Sequence, residues 1–308
     1  MSTTNATTTN AAASSNDELS SKYQQKTDKQ HILDNPDTYI GSIENVDAHM
    51  WLLSDDGARI YEKNIIYISG LFKLFDEGVV NCRDHVIRQR TLIEANSGNS
   101  SATSLLPVTN IDVQVKEDGT ITKTNDGNGI DVAMHPEYQI WIPELIFGHL
   151  RTSTNYDKTE KKIVGGKNGF GFKLVLIWST YGSVETVDHV RGLKYVQEFK
   201  QNLDEICPPT ITKSGKQKPY TKITFKPDYA RLGIDGLTPD MVSLIKKRVH
   251  DIAAITDKTV KVSYNGSPVP IKNFQQYVDL YIGDKTVSPR VYEEGSDRWE
   301  YAVAMSPK

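Results

Sequence analysis

The first place where this sequence can do chemistry is a stretch with helical spacing. Between Ile68 and Arg90, apolar residues recur at Leu71, Leu74, Phe75, Val79, Cys82 and Val86, the three-and-four spacing of one buried helical stripe. The opposite face carries Glu77, Asn81, Asp84, His85 and Arg88. Glu77 and Asn81 stand four apart and so share one side of the helix. There a carboxylate can take a proton from water, and an amide oxygen can ligate a hard cation. On a generic helix such a run is simply a solvated polar face. Here it keeps company with "NDGNG" at 125–129 and "GGKNGFGFK" at 165–173. Together these supply a proton acceptor, a metal ligand, a loop that can read a nucleobase and a loop that can hold phosphate.

The glycine-rich stretch matches neither of two familiar patterns. The Walker pattern needs Lys where Phe172 follows Gly171, and the dinucleotide pattern needs Gly where Leu174 and Val175 stand. The earlier run "DGNGID" likewise fails the calcium-loop pattern, which needs Gly at the position of Asp131. The stretch still suits an anion, because glycines let the backbone approach closely and successive N–H groups lead into a helix N-terminus. Lys167 and Lys173 add positive charge. Viewed alone, a flexible turn with solvated lysines explains it equally well.

The elements around these motifs read as a layered α+β protein. Residues 1–21 are mostly Ser, Thr, Asn and Ala, the composition of a disordered leader, and 94–104 reads as a polar flexible loop. "IDVQV", the turn "EDG" and "ITKTN" form a hairpin running into "NDGNG", and Pro143 starts a short helix through "PELIFGHL". "SVETVD", "KYVQEFKQ" and "TKITFKP" are antiparallel strands. Thr238-Pro239 caps a helix through "MVSLIKKRVHDIAAI", and "VKVSYNGSPV" turns at Asn265-Gly266. Strands in runs with helices between them imply a sandwich in place of repeating βαβ units. A formal charge of −3 provides no global footprint for nucleic acid. Cys82 and Cys207 form no metal or redox spacing, and no apolar run is long enough to span a membrane. The expected location is intracellular, not secreted, with no membrane partner.

In this order, "FDEGVVN", "NDGNGI", "PELIFGHLRTSTNYD" and "GGKNGFGFK" closely resemble the ATPase region of eukaryotic-type type IIA DNA topoisomerases. That region belongs to the superfamily of gyrase, the 90-kilodalton heat-shock chaperones, histidine kinases and MutL. The likeness extends through "QKTDKQHILDNPDTYIGSIE", "TKITFKPDYARLGI", "KKRVHDIAAIT" and "NFQQYVDLYI", covering roughly 22–308. "IFGHLRTSTNYD" and "HILDNPDTYIGS" are particular to the topoisomerase branch. The resemblance implies a Bergerat-type α/β sandwich. Residues 22–282 would form the ATP-binding domain with an N-terminal strap, and 283–308 the start of a transducer domain, with "DRWEYAVAMSP" as its first strand.

Carried over by position, the resemblance makes Glu77 the general base toward the γ-phosphate and Asn81 the Mg²⁺ ligand, which also contacts ATP. Asn125 would read the adenine amino group, with Gly127 and Gly129 giving room. Ser153, Thr154 and Asn155 would contact ribose and phosphate. Gly166, Lys167, Asn168, Gly169, Phe170, Gly171, Phe172 and Lys173 would form the lid around the triphosphate. His85 is expected to make a supporting polar contact, His149 to be packed, and Tyr23 to reach a dimer partner's nucleotide. The family usually has arginine at Lys167, tyrosine at Phe170, alanine at Phe172, leucine at Arg151 and proline at Asp131. Such departures mark a divergent member, of the kind a large DNA virus would carry.

The implied function is an entry gate that closes as a homodimer on ATP to drive passage of duplex DNA, in the nucleus or at a cytoplasmic viral replication site. The family's γ-phosphate-contacting lysine and DNA-cleaving core are expected beyond residue 308, so this chain alone would hydrolyse ATP slowly and relax no DNA. Two alternatives stand beside it: a nucleotide-dependent clamp or chaperone-like switch on the same fold, and a nucleotide-free interaction domain.

Overall fold

The computed structural model describes residues 27–97, 104–149, 171–296 and 299–305. Thr27 caps α1 (Asp28–Asp34), its hydroxyl accepting the Gln30 amide at 3.2 Å, and Pro36 opens the single turn α2 (Pro36–Tyr39). Both lead into an antiparallel hairpin, β1 (Val46–Leu53) and β2 (Ile60–Tyr67). The long helix α3 (Ser69–Ala95) follows, then β3 (Asn110–Val115), β4 (Ile121–Asp126), α4 (Ile142–Gly148) and α5 (Gly171–Ile177). After these come β5 (Ser179–Asp188), β6 (Leu193–Lys200), β7 (Glu205–Ile206), β8 (Thr210–Lys213) and β9 (Tyr220–Pro227). The chain continues with α6 (Pro239–Ala254), β10 (Lys261–Tyr264), β11 (Ser267–Pro268), α7 (Phe274–Ile282), β12 (Arg290–Ser296) and β13 (Trp299–Ala304).

The main sheet runs β11-β10-β3-β4-β9-β5-β6-β7, with β8 also on β6. Every pairing is antiparallel except β10 with β3. One face is covered, because α3 lies on β3 and β4, α5 on β5 and β9, and α6 on β10. Ile111, Val113, Ile121, Val184, Tyr195, Phe199 and Phe225 point into this layer and are buried against Leu74, Phe75 and Val79 of α3. Each such side chain contributes about 1.5–3 kcal/mol through burial. The alternate positions form a polar outer face, with ion pairs Lys194–Glu185 at 3.1 Å and Lys200–Glu198 at 3.3 Å. Among the described residues no helix is long and apolar enough to cross a membrane.

The layered α+β reading holds, and so do the strands at 110–126, 179–200 and 220–227. The α6 start holds as well, with Thr238 accepting the Met241 amide at 3.2 Å. Two points differ. Helix α3 continues past Arg90 to Ala95, taking in part of the expected loop. Asp84, read as part of the solvated face, is buried at 3% exposure. The buried stripe broadens in the second half of the helix to take in Cys82, Asp84, Val86 and Gln89. The leader and the strap residue Tyr23 lie outside the described residues. The β12–β13 pair forms a separate two-stranded sheet, tied to α7 by Arg290–Asp279 at 2.8 Å.

One carboxylate fastens the end of β4 to the start of β3. Asp126 Oδ1 accepts the amides of Thr109 at 2.7 Å and Asn110 at 2.8 Å, while Oδ2 takes the Thr109 hydroxyl and the Asn110 amide group. Asp126→Ala leaves these donors to water, and urea denaturation is expected to show a loss of about 2 kcal/mol; an unchanged midpoint would remove this clamp from the account.

Candidate functional site

Helix α3 presents Glu77, Asn81 and His85 four residues apart, one ridge along its length. Strand β4 runs beneath it, and the pleat turns Ile121, Lys123 and Asn125 toward the helix layer. Asn125 is 8% exposed and is fixed by its register opposite Ile111 of β3 and Thr221 of β9. Its side-chain amide donates to the Asp126 carbonyl at 3.0 Å.

The "NDGNG" segment leaves the sheet here through a turn that only glycine suits. Gly127 has φ +86°, and a Cβ on it would stand 2.7 Å from Val108 Cγ2. Gly129 passes so close to β5 that a side chain would collide with the Val187 carbonyl. That approach is secured by Ile130 N–H donating to Thr186 Oγ1 and Val132 N–H to Asp188 Oδ2, both at 2.9 Å. Asn128 accepts the Leu106 amide at 2.7 Å and donates to the Ser104 carbonyl at 3.1 Å. Asp131, where proline was expected, pairs with Arg191 at 2.6 Å.

His85 joins the helix to this loop, its Nε2–H donating to the Asn128 carbonyl at 2.9 Å. Burial, with Arg88 nearby, pushes the imidazole down to about 4, so the neutral ring is the form that makes the bond. His149 pairs with Glu144 at 3.2 Å.

Glu77 faces two neighbours. Its Oε1 meets Lys73 Nζ at 2.6 Å, an (i, i+4) pair. Its Oε2 is covered by the backbone of Gly171, where any Cβ would overlap the carboxylate. Gly171, near the end of the glycine-rich stretch, therefore stands directly over the carboxylate at the start of the ridge. Asn81, one turn on, is exposed.

The remaining described residues of that stretch turn inward. The Phe172 ring packs edge-on against Phe147 at 5.5 Å and Phe225 at 6.1 Å, so only its backbone can face a ligand. Lys173 is 1% exposed, and burial pushes its amine down to about 8. Gly166, Lys167, Asn168, Gly169 and Phe170, with Ser153, Thr154 and Asn155, lie outside the described residues. Thus Glu77 and Gly171 meet, Asn81 stands on the same helix ridge, and His85 ties that ridge to the loop that carries Gly127 and Gly129. Two neighbours went unforeseen in the sequence: Lys123 beneath the ridge, and Arg248 of α6, which holds Asp76 beside Glu77 at 2.6 Å.

No family model matches the chain. In fold it is similar to the 43K ATPase domain of Thermus thermophilus gyrase B, with a TM-score of 0.55 at 19% identity over 87% of this chain and 60% of that one. The nearer likeness is to the ATPase region of Saccharomyces cerevisiae topoisomerase II, with a TM-score of 0.84 at 41% identity, covering 93% of this chain and 72% of that structure. The DNA topoisomerase 2 of Acanthamoeba polyphaga mimivirus is 42% identical over 294 residues, 94% of this chain and 22% of that protein. That of Arabidopsis thaliana is 41% identical over 301 residues, 96% of this chain and 19% of that protein. The chain belongs to the type II DNA topoisomerase family, in its ATPase region. It spans about a fifth of the length of the curated relatives it matches.

The depressed His85 value makes stability depend on acid. The unfolded chain binds a proton below 6.5 that the folded ring refuses until about 4, so stability falls as pH drops through that window, by up to about 3 kcal/mol. Denaturation midpoints between pH 7 and 4 should fall less steeply in His85→Gln than in the parent; equal slopes would mean that the ring titrates normally.

Proposed function

We propose that the chain binds ATP with Mg²⁺ along the α3 ridge and hydrolyses it, as the nucleotide-operated gate of a type II DNA topoisomerase. The observation that carries this is the placement of Gly171, at the end of the glycine-rich stretch, over the Glu77 carboxylate. A lid that covers the γ-phosphate would arrive where the base stands, and Gly171 lies against the Glu77 carboxylate.

Glu77 acts as general base. Lys73 holds one carboxylate oxygen, leaving the other turned toward the Gly171 backbone. In that position it orients a water and takes its proton as the water attacks the γ-phosphate. Asn125 reads the adenine amino group from the floor of the site, and Gly127 and Gly129 keep the backbone low enough to admit the ring. Ser153, Thr154, Asn155 and Gly166–Phe170 complete the ribose and phosphate contacts, while Phe172 and Lys173 serve from within the core.

The residues fit magnesium. Asn81 is exposed and offers a single neutral oxygen. Such a donor set suits a cation that keeps most of its shell on phosphate and water. When bound, Mg²⁺ supplies charge neutralisation on the triphosphate.

Residues 22–282 act as the ATP-binding unit and 283–308 as the beginning of the transducer. ATP favours a closed homodimer through contacts made only in the closed state, and in a full-length enzyme the closure drives duplex DNA passage inside the cell, in the nucleus or at a viral replication site.

ATP turnover and analogue binding test the reading. Glu77→Gln is expected to lower kcat by about a hundredfold or more while leaving analogue affinity near that of the parent. Asn81→Ala should weaken binding only when Mg²⁺ is present. Gly171→Ala, which forces a methyl into the base, should abolish turnover in a folded protein. Parental turnover in Glu77→Gln would remove Glu77 as base, and absence of any Mg²⁺-dependent nucleotide binding would overturn the function.

A further inference from the structure

Lys123 places an amine in the core. It lies on the central strand β4 with 2% exposure, where an unpaired ammonium is costly. Its Nζ donates to the Phe75 carbonyl in the turn of α3 that carries Asp76 and Glu77. Two rings flank the amine, Phe75 at 4.7 Å and Phe225 of β9 at 5.1 Å to their centroids. Room for it comes from Gly78, since a Cβ there would overlap the Lys123 amine. A glycine inside a 27-residue helix lowers helix stability relative to alanine, and here it sits next to Glu77.

The charged and titratable groups that act electrostatically on the amine are Asp76, Glu77 and the Cys82 thiol, all on α3. Asp76 is already engaged by Arg248 of α6, and the thiol is pushed up to about 11 by burial, so it is uncharged. β9 contributes only the Phe225 ring. Glu77 is the one carboxylate of this group without an arginine partner on α6 among the described residues.

We propose that Lys123 is a positioning residue for Glu77, holding the Phe75 carbonyl from the space left by Gly78 and setting the charge beneath the base as anionic nucleotide arrives. This rests on the reading of Glu77 as base. Burial pushes the Lys123 amine down to about 7 in the free protein. A triphosphate above the same turn favours its charged form, so nucleotide binding at slightly alkaline pH draws a proton onto Lys123.

The test uses the whole 308-residue chain and a non-hydrolysable ATP analogue with Mg²⁺. Calorimetry in buffers of different ionisation enthalpy should find proton uptake on binding near pH 8 in the parent and less in Lys123→Met. Lys123→Met should also lose roughly tenfold in kcat at little-changed KM. Gly78→Ala should lower Tm in the parent and raise it in the Lys123→Met background, where the methyl meets no amine. If Lys123→Met does not fold, Lys123→Gln, which keeps a donor toward Phe75 without the charge, should still lose the proton uptake. Parental proton uptake and kcat in the substituted chain would overturn the proposal. Parental turnover in Glu77→Gln, with the uptake still dependent on Lys123, would instead show that the base assignment is what failed.

Discussion

Helix α3 lies on strand β4 at a distance set by what separates them at Gly78: the amine of Lys123 where another helix would place a side chain. The same helix carries Glu77 and Asn81, and brings His85 within reach of the Asn128 carbonyl at 2.9 Å. The floor of the site, its loop and its helix are therefore positioned by one helix-on-strand interface. Asp126 pins the end of the strand to the start of β3, and Thr186 and Asp188 of β5 hold the loop beyond it. The polar groups of this layer are satisfied largely by backbone partners, which rigidifies the floor.

Over that floor the glycine-rich stretch arrives with two kinds of residue. Gly171 gives the Glu77 carboxylate its clearance. Phe172 and Lys173, one and two positions later, are core residues. The large ring at 172 is accommodated between Phe147 and Phe225. The ring thus anchors the end of the glycine-rich stretch in the core.

Much of this was legible in the sequence. The apolar spacing from Leu71 to Val86 identified α3, the alternation at 110–126 the hairpin beneath it, and Thr238-Pro239 the start of α6, because each is a local signal of period or cap. The β1–β2 hairpin was not assigned. β1 buries only Leu52 and Leu53 among its eight residues, so it carries no clear alternation. The burial of Asp84 and the placement of Lys123 were hidden for another reason. Periodicity says which face a residue is on, while what covers that face is decided by elements far away in sequence. A hint for Lys123 was present: it shares β4's inward positions with Ile121 and Asn125, and Gly78 interrupts a strong helix. Only the fold pairs the two.

The central claim is that α3, β4 and the Gly171 backbone enclose one nucleotide site with Glu77 at its reactive end. A structure of the chain with a non-hydrolysable ATP analogue and Mg²⁺ tests it most directly. The account predicts the adenine amino group at Asn125, the metal on the Asn81 oxygen, and the γ-phosphate between Glu77 and Gly171. A nucleotide bound with its terminal phosphate remote from Glu77, or a metal held without Asn81, would contradict it.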